Sequence, residues 1–161
     1  MALKNILAVA AFALGAVAVI YIGRAPATGA TAQSAYDGEP EIIAATFASA
    51  WCSSCKVLEP RLKKIIPDFR ERPVRFIEFD FTFGKNDGHA DLAAETGLAE
   101  VFDRFQDATG FTLLVDAESG EVIDMLTINH SQDAMRMAIA QAIAVAARPE
   151  LQQSDQNRGV E

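Results

Sequence analysis

Phe47-Ala48-Ser49-Ala50-Trp51-Cys52-Ser53-Ser54-Cys55-Lys56-Val57-Leu58-Glu59-Pro60 is the stretch on which the fold turns, and it holds both cysteines of the chain. It follows an apolar run, residues 41–48, that suits a strand buried on both faces. Beyond Cys55, the residues Leu58, Leu62, Ile65, Ile66 and Phe69 recur at helical spacing, with Lys56, Glu59, Arg61, Lys63 and Lys64 on the other side. The cysteines therefore sit on the first turn of a helix. Sulfurs at i and i+3 can close a disulfide. The leading sulfur lies where unpaired backbone N–H groups and the helix dipole favour a thiolate. A thiolate that attacks, beside a thiol that resolves, is the minimum machinery for disulfide exchange. Pro60 is expected to kink the helix, because it cannot donate to the preceding turn, and Pro67 to mark its end.

Downstream, residues 75–83 alternate apolar and polar as a strand does, and a turn at 84–88 closes it. A short helical piece at 90–95 stops near Gly97, and a second carries Leu98, Val101, Phe102 and Phe105 on one face. Residues 111–115 and 121–126 form a hairpin across Glu118-Ser119-Gly120. Ser131 is a candidate N-cap, with Asp133 favourable in the first turn of a helix that packs Met135, Ile139, Ile143 and Ala146. The element order β-α-β-α-β-β-α predicts an α/β domain, a mixed central sheet flanked by helices, over residues 41–147.

Upstream, residues 5–23 contain no charge, and from Ile6 almost all are Ala, Val, Leu, Ile or Phe. Lys4 precedes this run and Arg24 follows it. The run is longer than a signal-peptide core of roughly 7–15 residues and close to the roughly 18 that span a bilayer. Residues 1–24 are thus expected to be a signal anchor spanning at 6–23, or a signal peptide cut at an A-x-A site such as Ala30-Thr31-Ala32. Either places the cysteines on the exported side of the inner membrane, a periplasm-like compartment, if the amino terminus stays inside. Residues 25–40, rich in Ala, Thr, Gly and Ser, read as a linker, and residues 148–161 as a polar flexible tail.

The 161-residue chain carries a net charge of −8, which argues against nucleic acid as a partner. Two cysteines cannot make a four-thiolate zinc site, and Lys56 after Cys55 breaks the haem-attachment pattern. The Asp and Asn of the 84–88 turn lack the ligand spacing of a calcium loop. No cofactor or metal is expected. A plain structural staple closes too small a loop to stabilise much by chain entropy.

With its flanking Trp51, Lys56 and Pro60, and with this strand order, the Cys52–Cys55 segment resembles the active-site segment of the thioredoxin-like family, loosely from Ile42 to Ala147. The resemblance implies a thioredoxin-like fold and a thiol–disulfide oxidoreductase acting on protein thiols and disulfides, supplied by a membrane or soluble redox donor. It implies that Cys52 is the exposed nucleophile and Cys55 the buried resolving thiol. Trp51 becomes an apolar wall beside the sulfurs, either contacting substrate or a plain core aromatic, Pro60 a structural bend, and Lys56 a solvated charge.

Three departures accompany the resemblance. The family keeps a buried Asp six residues before the first cysteine, where Thr46 stands here. It places a cis-proline ahead of the hairpin strand, a position that falls on Phe111. A cis bond before a non-proline costs about 2.5–4 kcal/mol, so Gly110-Phe111 is expected to be trans. Phe111 is then either core or a wall of the substrate groove. The region around 84–97 is longer than in the family and reads as a surface insertion, or else a lid or a partner surface, with His89 inside it. His130 reads first as an ordinary loop histidine; tuning Cys52, or joining the sulfurs around copper, are the alternatives. The main rival function is accordingly a thioredoxin-fold binding or copper-handling module with little exchange activity.

Overall fold

One strand, β2 (Ile42–Ala48), is buried along its whole length and organises the domain. In the computed structural model, which describes residues 30–33, 36 and 38–148, β2 pairs in parallel with β3 (Val74–Asp80) and antiparallel with β4 (Phe111–Asp116). β4 continues into β5 (Val122–Leu126) as an antiparallel hairpin, and β1 (Ala30–Gln33) lies antiparallel on the far side of β3. The sheet order is β1-β3-β2-β4-β5. Helix α1 (Cys55–Ile65) makes the crossover between β2 and β3 and runs into a 3-10 turn, Ile66–Phe69. Helices α2 (Asp87–Glu95) and α3 (Ala99–Phe105) connect β3 to β4, and α4 (Gln132–Ala146) follows β5. This mixed sheet with helices on both faces fits the thioredoxin-like fold expected from the sequence.

Alternation along the strands divides the core in two. Ile42, Ala44, Phe76, Leu114 and Leu126 face α1 and α4, meeting Leu58, Leu62, Ile65, Met135 and Ile139. Ile43, Ala45, Phe47, Ile77, Phe79 and Leu113 face α2 and α3, meeting Ala93, Val101 and Phe102. Phe47 is the hub of the second layer, with ring centroids of Phe111 at 5.1 Å, Phe79 at 5.2 Å and Phe81 at 6.2 Å.

Several expected boundaries move. Residues 25–40 are not all linker, since 30–33 form β1; a run of small residues lacks the large alternating side chains that announce a strand, and an edge needs only backbone pairing. The strand expected over 75–83 ends at Asp80, whose carboxylate accepts from Thr82 N (2.9 Å) and Thr82 Oγ1 (2.5 Å) and turns the chain despite the continuing alternation. The helix expected from Ala90 starts three residues earlier, because the Asn86 side chain caps it by accepting from His89 N. The 84–97 region is no mere surface insertion. α2 closes the second layer, and its His89 is fully buried among Phe79, Phe81 and Phe102. Ser131 does cap α4, accepting from Ala134 N at 3.2 Å.

The expected membrane or signal segment, residues 1–24, and the tail from residue 149 lie outside the described residues. Among the described residues, no helix is long and apolar enough to cross a membrane.

Truncating Phe47 empties the centre of the aromatic layer. Phe47→Ala is expected to cost about 3–5 kcal/mol, read from the shift of the urea unfolding midpoint. A cost below about 1 kcal/mol would contradict this packing.

Candidate redox site

β2 delivers the chain to the site at its carboxyl end. After Ala48, Cys52 N donates to Ser49 O (3.0 Å) and Trp51 N to Ser49 Oγ (3.3 Å), which folds residues 49–52 into a tight turn. α1 starts directly behind it. Lys56 N reaches Cys52 O at 3.4 Å, and Leu58 N reaches Ser54 O at 2.9 Å. The two cysteines are joined as a disulfide, with Cα atoms 5.3 Å apart. Their environments differ. Cys52 is partly exposed, whereas Cys55 is only 1% exposed. Cys55 N also donates to Cys52 Sγ at 3.1 Å, so a backbone N–H at the helix start already points at the leading sulfur. The helix runs on through Pro60 to Ile65, and Lys56 is exposed on it.

Trp51 is not a core aromatic. It stands 80% exposed at the rim, with its indole Nε1–H donated to Thr82 O at 3.0 Å. Two more bonds fasten the 81–84 loop to the cysteine turn: Ala50 N to Thr82 Oγ1 (2.9 Å) and Phe81 N to Ala48 O (2.8 Å). Phe83 projects from that loop, 96% exposed.

Phe111 is 8% exposed, its ring stacked on Phe47 in the second layer. The residue that faces the cysteines is its neighbour, Gly110, which sequence reasoning passed over. Gly110 N donates to Phe47 O at 2.8 Å, and its φ of +99° is open chiefly to glycine. A Cβ there would lie 2.9 Å from Ser54 Cβ and 3.2 Å from Cys52 Sγ. The backbone approaches the sulfur closely because no side chain intervenes, and the Gly110–Phe111 bond is trans as expected. A glycine directly ahead of a predicted strand was the available signal.

Beneath α1, Thr46 is buried and its hydroxyl pairs with that of Thr112 at 2.8 Å. Glu78, the register partner of Thr46 on β3, is half-buried. Burial pushes its carboxyl above the ordinary value, Glu59 and Asp80 push the same way, and Lys63 opposes them. His130 is fixed locally: its Nδ1 accepts from Thr127 N (3.1 Å), and Arg61 donates to its carbonyl (2.8 Å). Among the described residues, no three His, Cys, Asp or Glu side chains gather as a metal cluster.

No protein-family model matches the chain, and no curated protein does. Solved structures similar to it include thioredoxin-family proteins. Mitochondrial thioredoxin 3 of Saccharomyces cerevisiae is 22% identical over 63% of this chain and 79% of its own, with a TM-score of 0.39. A thiol:disulfide interchange protein of the thioredoxin family from Chlorobium tepidum TLS is 16% identical over 75% and 98%, with a TM-score of 0.45. StoA from Bacillus subtilis is 12% identical over 63% and 84%, with a TM-score of 0.43.

Two outcomes follow from this geometry. Gly110→Ala meets both a disfavoured φ and a crowded Cys52, and is expected to destabilise the protein by about 1–3 kcal/mol in chemical denaturation; an unchanged midpoint would contradict the close approach. Glu78 is more easily held protonated in the fold than in the unfolded chain. Its contribution to stability is therefore full below the unfolded carboxyl range, about 4.3, and is lost as pH rises through the higher folded value. Glu78→Gln should raise the melting temperature at pH 7, and the gain should vanish below about pH 4.

Proposed function

We propose that this chain is a thiol–disulfide oxidoreductase that exchanges disulfides with exported proteins through Cys52 and Cys55. The observation that carries the proposal is the asymmetry of the pair: a partly exposed sulfur that receives a backbone N–H, in front of a buried one. Cys52, as thiolate, attacks one sulfur of a partner disulfide. A Cys52–partner disulfide forms and the partner's other sulfur leaves as a thiolate. Cys55, deprotonated, then attacks Cys52 Sγ; the Cys52–Cys55 bond forms, the mixed disulfide breaks, and the partner departs reduced by two electrons. Run backwards, the same steps oxidise a partner dithiol. A membrane or soluble thiol donor restores the reduced pair in the first direction.

The rim supports a protein partner. Trp51 and Phe83 offer exposed aromatic surface beside the sulfur, and Gly110 leaves backbone rather than side chain against it. Phe111 supports the site from below, holding Gly110 through its stack on Phe47. The apolar run at 6–23 supports export, with the domain anchored to or released from the outer side of the inner membrane.

The full chain with Cys55→Ser, expressed in a bacterial host, tests both parts together. It is expected to accumulate mixed disulfides with exported or membrane proteins, reversed by reductant, while Cys52→Ser captures none. Equal trapping by the two variants, or none by either, would remove the mechanism. A set of captured partners confined to the cytoplasm would remove the location.

A further inference from the structure

The strand that leads the chain into the domain enters at the cysteine end. β1 runs antiparallel to β3: its first residue, Ala30, is paired with Phe79, and its last, Gln33, with Phe76. Phe79 is in turn paired with Phe47, and Phe47 with Phe111. Ala30, Phe79, Phe47 and Phe111 therefore form one row across the sheet. From that row the cysteine turn springs on one strand, and Gly110 immediately precedes it on another. Two strand spacings, about 10 Å, separate Ala30 from Phe47 along the row. Had β1 run parallel to β3, the chain would have entered from the opposite end, where residues 70–73 and the 117–121 turn lie.

The stretch ahead of Ala30 is short. The uncharged run ends at Gly23, and only residues 24–29 stand between it and β1. Six residues reach about 22 Å at full extension. Crossing the polar headgroup layer, about 6 Å deep on each side, takes up part of that length. A compact domain of this size is about 35 Å across, from a radius of gyration of about 13 Å. With the run embedded as an anchor, a tether fixed at the cysteine end is too short to let the domain turn over. Resting on the oxidoreductase reading above, with residues 6–23 retained as the anchor, we propose that this protein works with its disulfide facing the bilayer. Its partners are integral membrane proteins whose thiols or disulfides lie within about 20 Å of the membrane surface.

The surface at that end suits such a partner. Trp51 and Phe83, the two most exposed aromatic rings described, both stand on it, and the bonds to Thr82 hold their turns together. An aromatic ring with a satisfied polar handle is at home where one side is apolar and the other wet. The net charge of −8 opposes adsorption to anionic lipid, so the face is better matched to a protein than to headgroups. The motif Ala30-Thr31-Ala32, a cleavage site by sequence, supplies three of the four residues of β1. Its backbone is engaged with Phe79, Glu78 and Ile77 of β3, and a cut after Ala32 would strip the strand and the tether together.

Orientation and partner class are read separately. Full-length protein carrying Cys52→Ser and Cys55→Ser is placed in vesicles with an acceptor dye on the lipid headgroups. A donor dye is attached at Phe83→Cys, or at Ser119→Cys in the turn at the far end of the sheet. Energy transfer is expected to be about twofold or more stronger from position 83, and a flexible twenty-residue Gly/Ser insertion between Gly29 and Ala30 to bring the two together. Equal or reversed transfer with the native tether would overturn the orientation. For the partners, full-length Cys55→Ser in a bacterial host is expected to capture mainly integral membrane proteins. The same insertion should shift the captured set toward soluble exported proteins, while leaving exchange of the intact cysteine pair with a small soluble disulfide unchanged. Mainly soluble partners with the native tether, or a set the insertion does not alter, would overturn the partner assignment. So would a mature chain that begins after Ala32 by mass spectrometry. Exchange of the small disulfide with no membrane protein captured, and the dye at 83 immersed in lipid, marks lipid docking and also overturns it. If the small disulfide is not exchanged at all, the oxidoreductase reading is what falls, and the energy transfer still decides the orientation.

Discussion

The pairing of β2 on both of its edges is the constraint on which everything else depends. A strand with neighbours on both sides and helices on both faces has no freedom to slip, because a one-residue shift would exchange its two apolar faces. Its carboxyl end is therefore a fixed point. From it the chain turns through Ser49 into the cysteines, and opposite it Phe47 O receives Gly110 N. The cysteine turn and the glycine that faces it are both positioned at the carboxyl end of this one strand. The clasp from Thr82 adds β3 to that arrangement, so three strand ends meet around one disulfide.

What the sequence reveals, and what it conceals, follows from how local each signal is. The cysteine spacing, the helical stripe of Leu58, Leu62 and Ile65, the apolar run of β2 and the Ser131 cap are short-range patterns, and the structure carries all of them. The losses occur where an interaction between distant residues decides. Strand β1 exists because β3 offers an unpaired edge, and nothing in Ala-Thr-Ala-Gln itself demands a strand. Asp80 ends β3 by binding Thr82 even though the alternation of Phe81-Thr82-Phe83 continues past it. His89 reads as part of a surface insertion, yet the aromatic rings of β3 and α3 enclose it.

At the site the division is sharper. Residues that do chemistry through their own side chains, Cys52 and Cys55, are visible as letters. Gly110 matters for an atom it lacks, so its part appears only when a Cβ is placed on it and meets Ser54 and Cys52. Where the resemblance to thioredoxin-like proteins leads one to expect a cis-proline opposite the cysteines, this chain has a trans bond and a glycine at positive φ. The glycine achieves a close approach of main chain to Cys52. Glycine does so without fixing φ, which leaves the edge more adaptable and places more of the burden of rigidity on the Phe47–Phe111 stack beneath it.

Glu78 was hidden for a related reason. In an alternating strand, a glutamate at a polar position reads as solvent-facing, and only the parallel register shows that it shares a wall with Thr46. An acid on β2 itself would be shut in on all sides, where the desolvation penalty of an ion runs to several kcal/mol. One strand outward, about 4.8 Å away, the carboxyl is half-buried and has Lys63 within electrostatic reach. Such a group can be raised enough to hold a proton without becoming unable to release it. The threonine pair has its own logic: position 46 needs a side chain that keeps the strand buried and satisfied, and a hydroxyl closed on Thr112 does that without a charge.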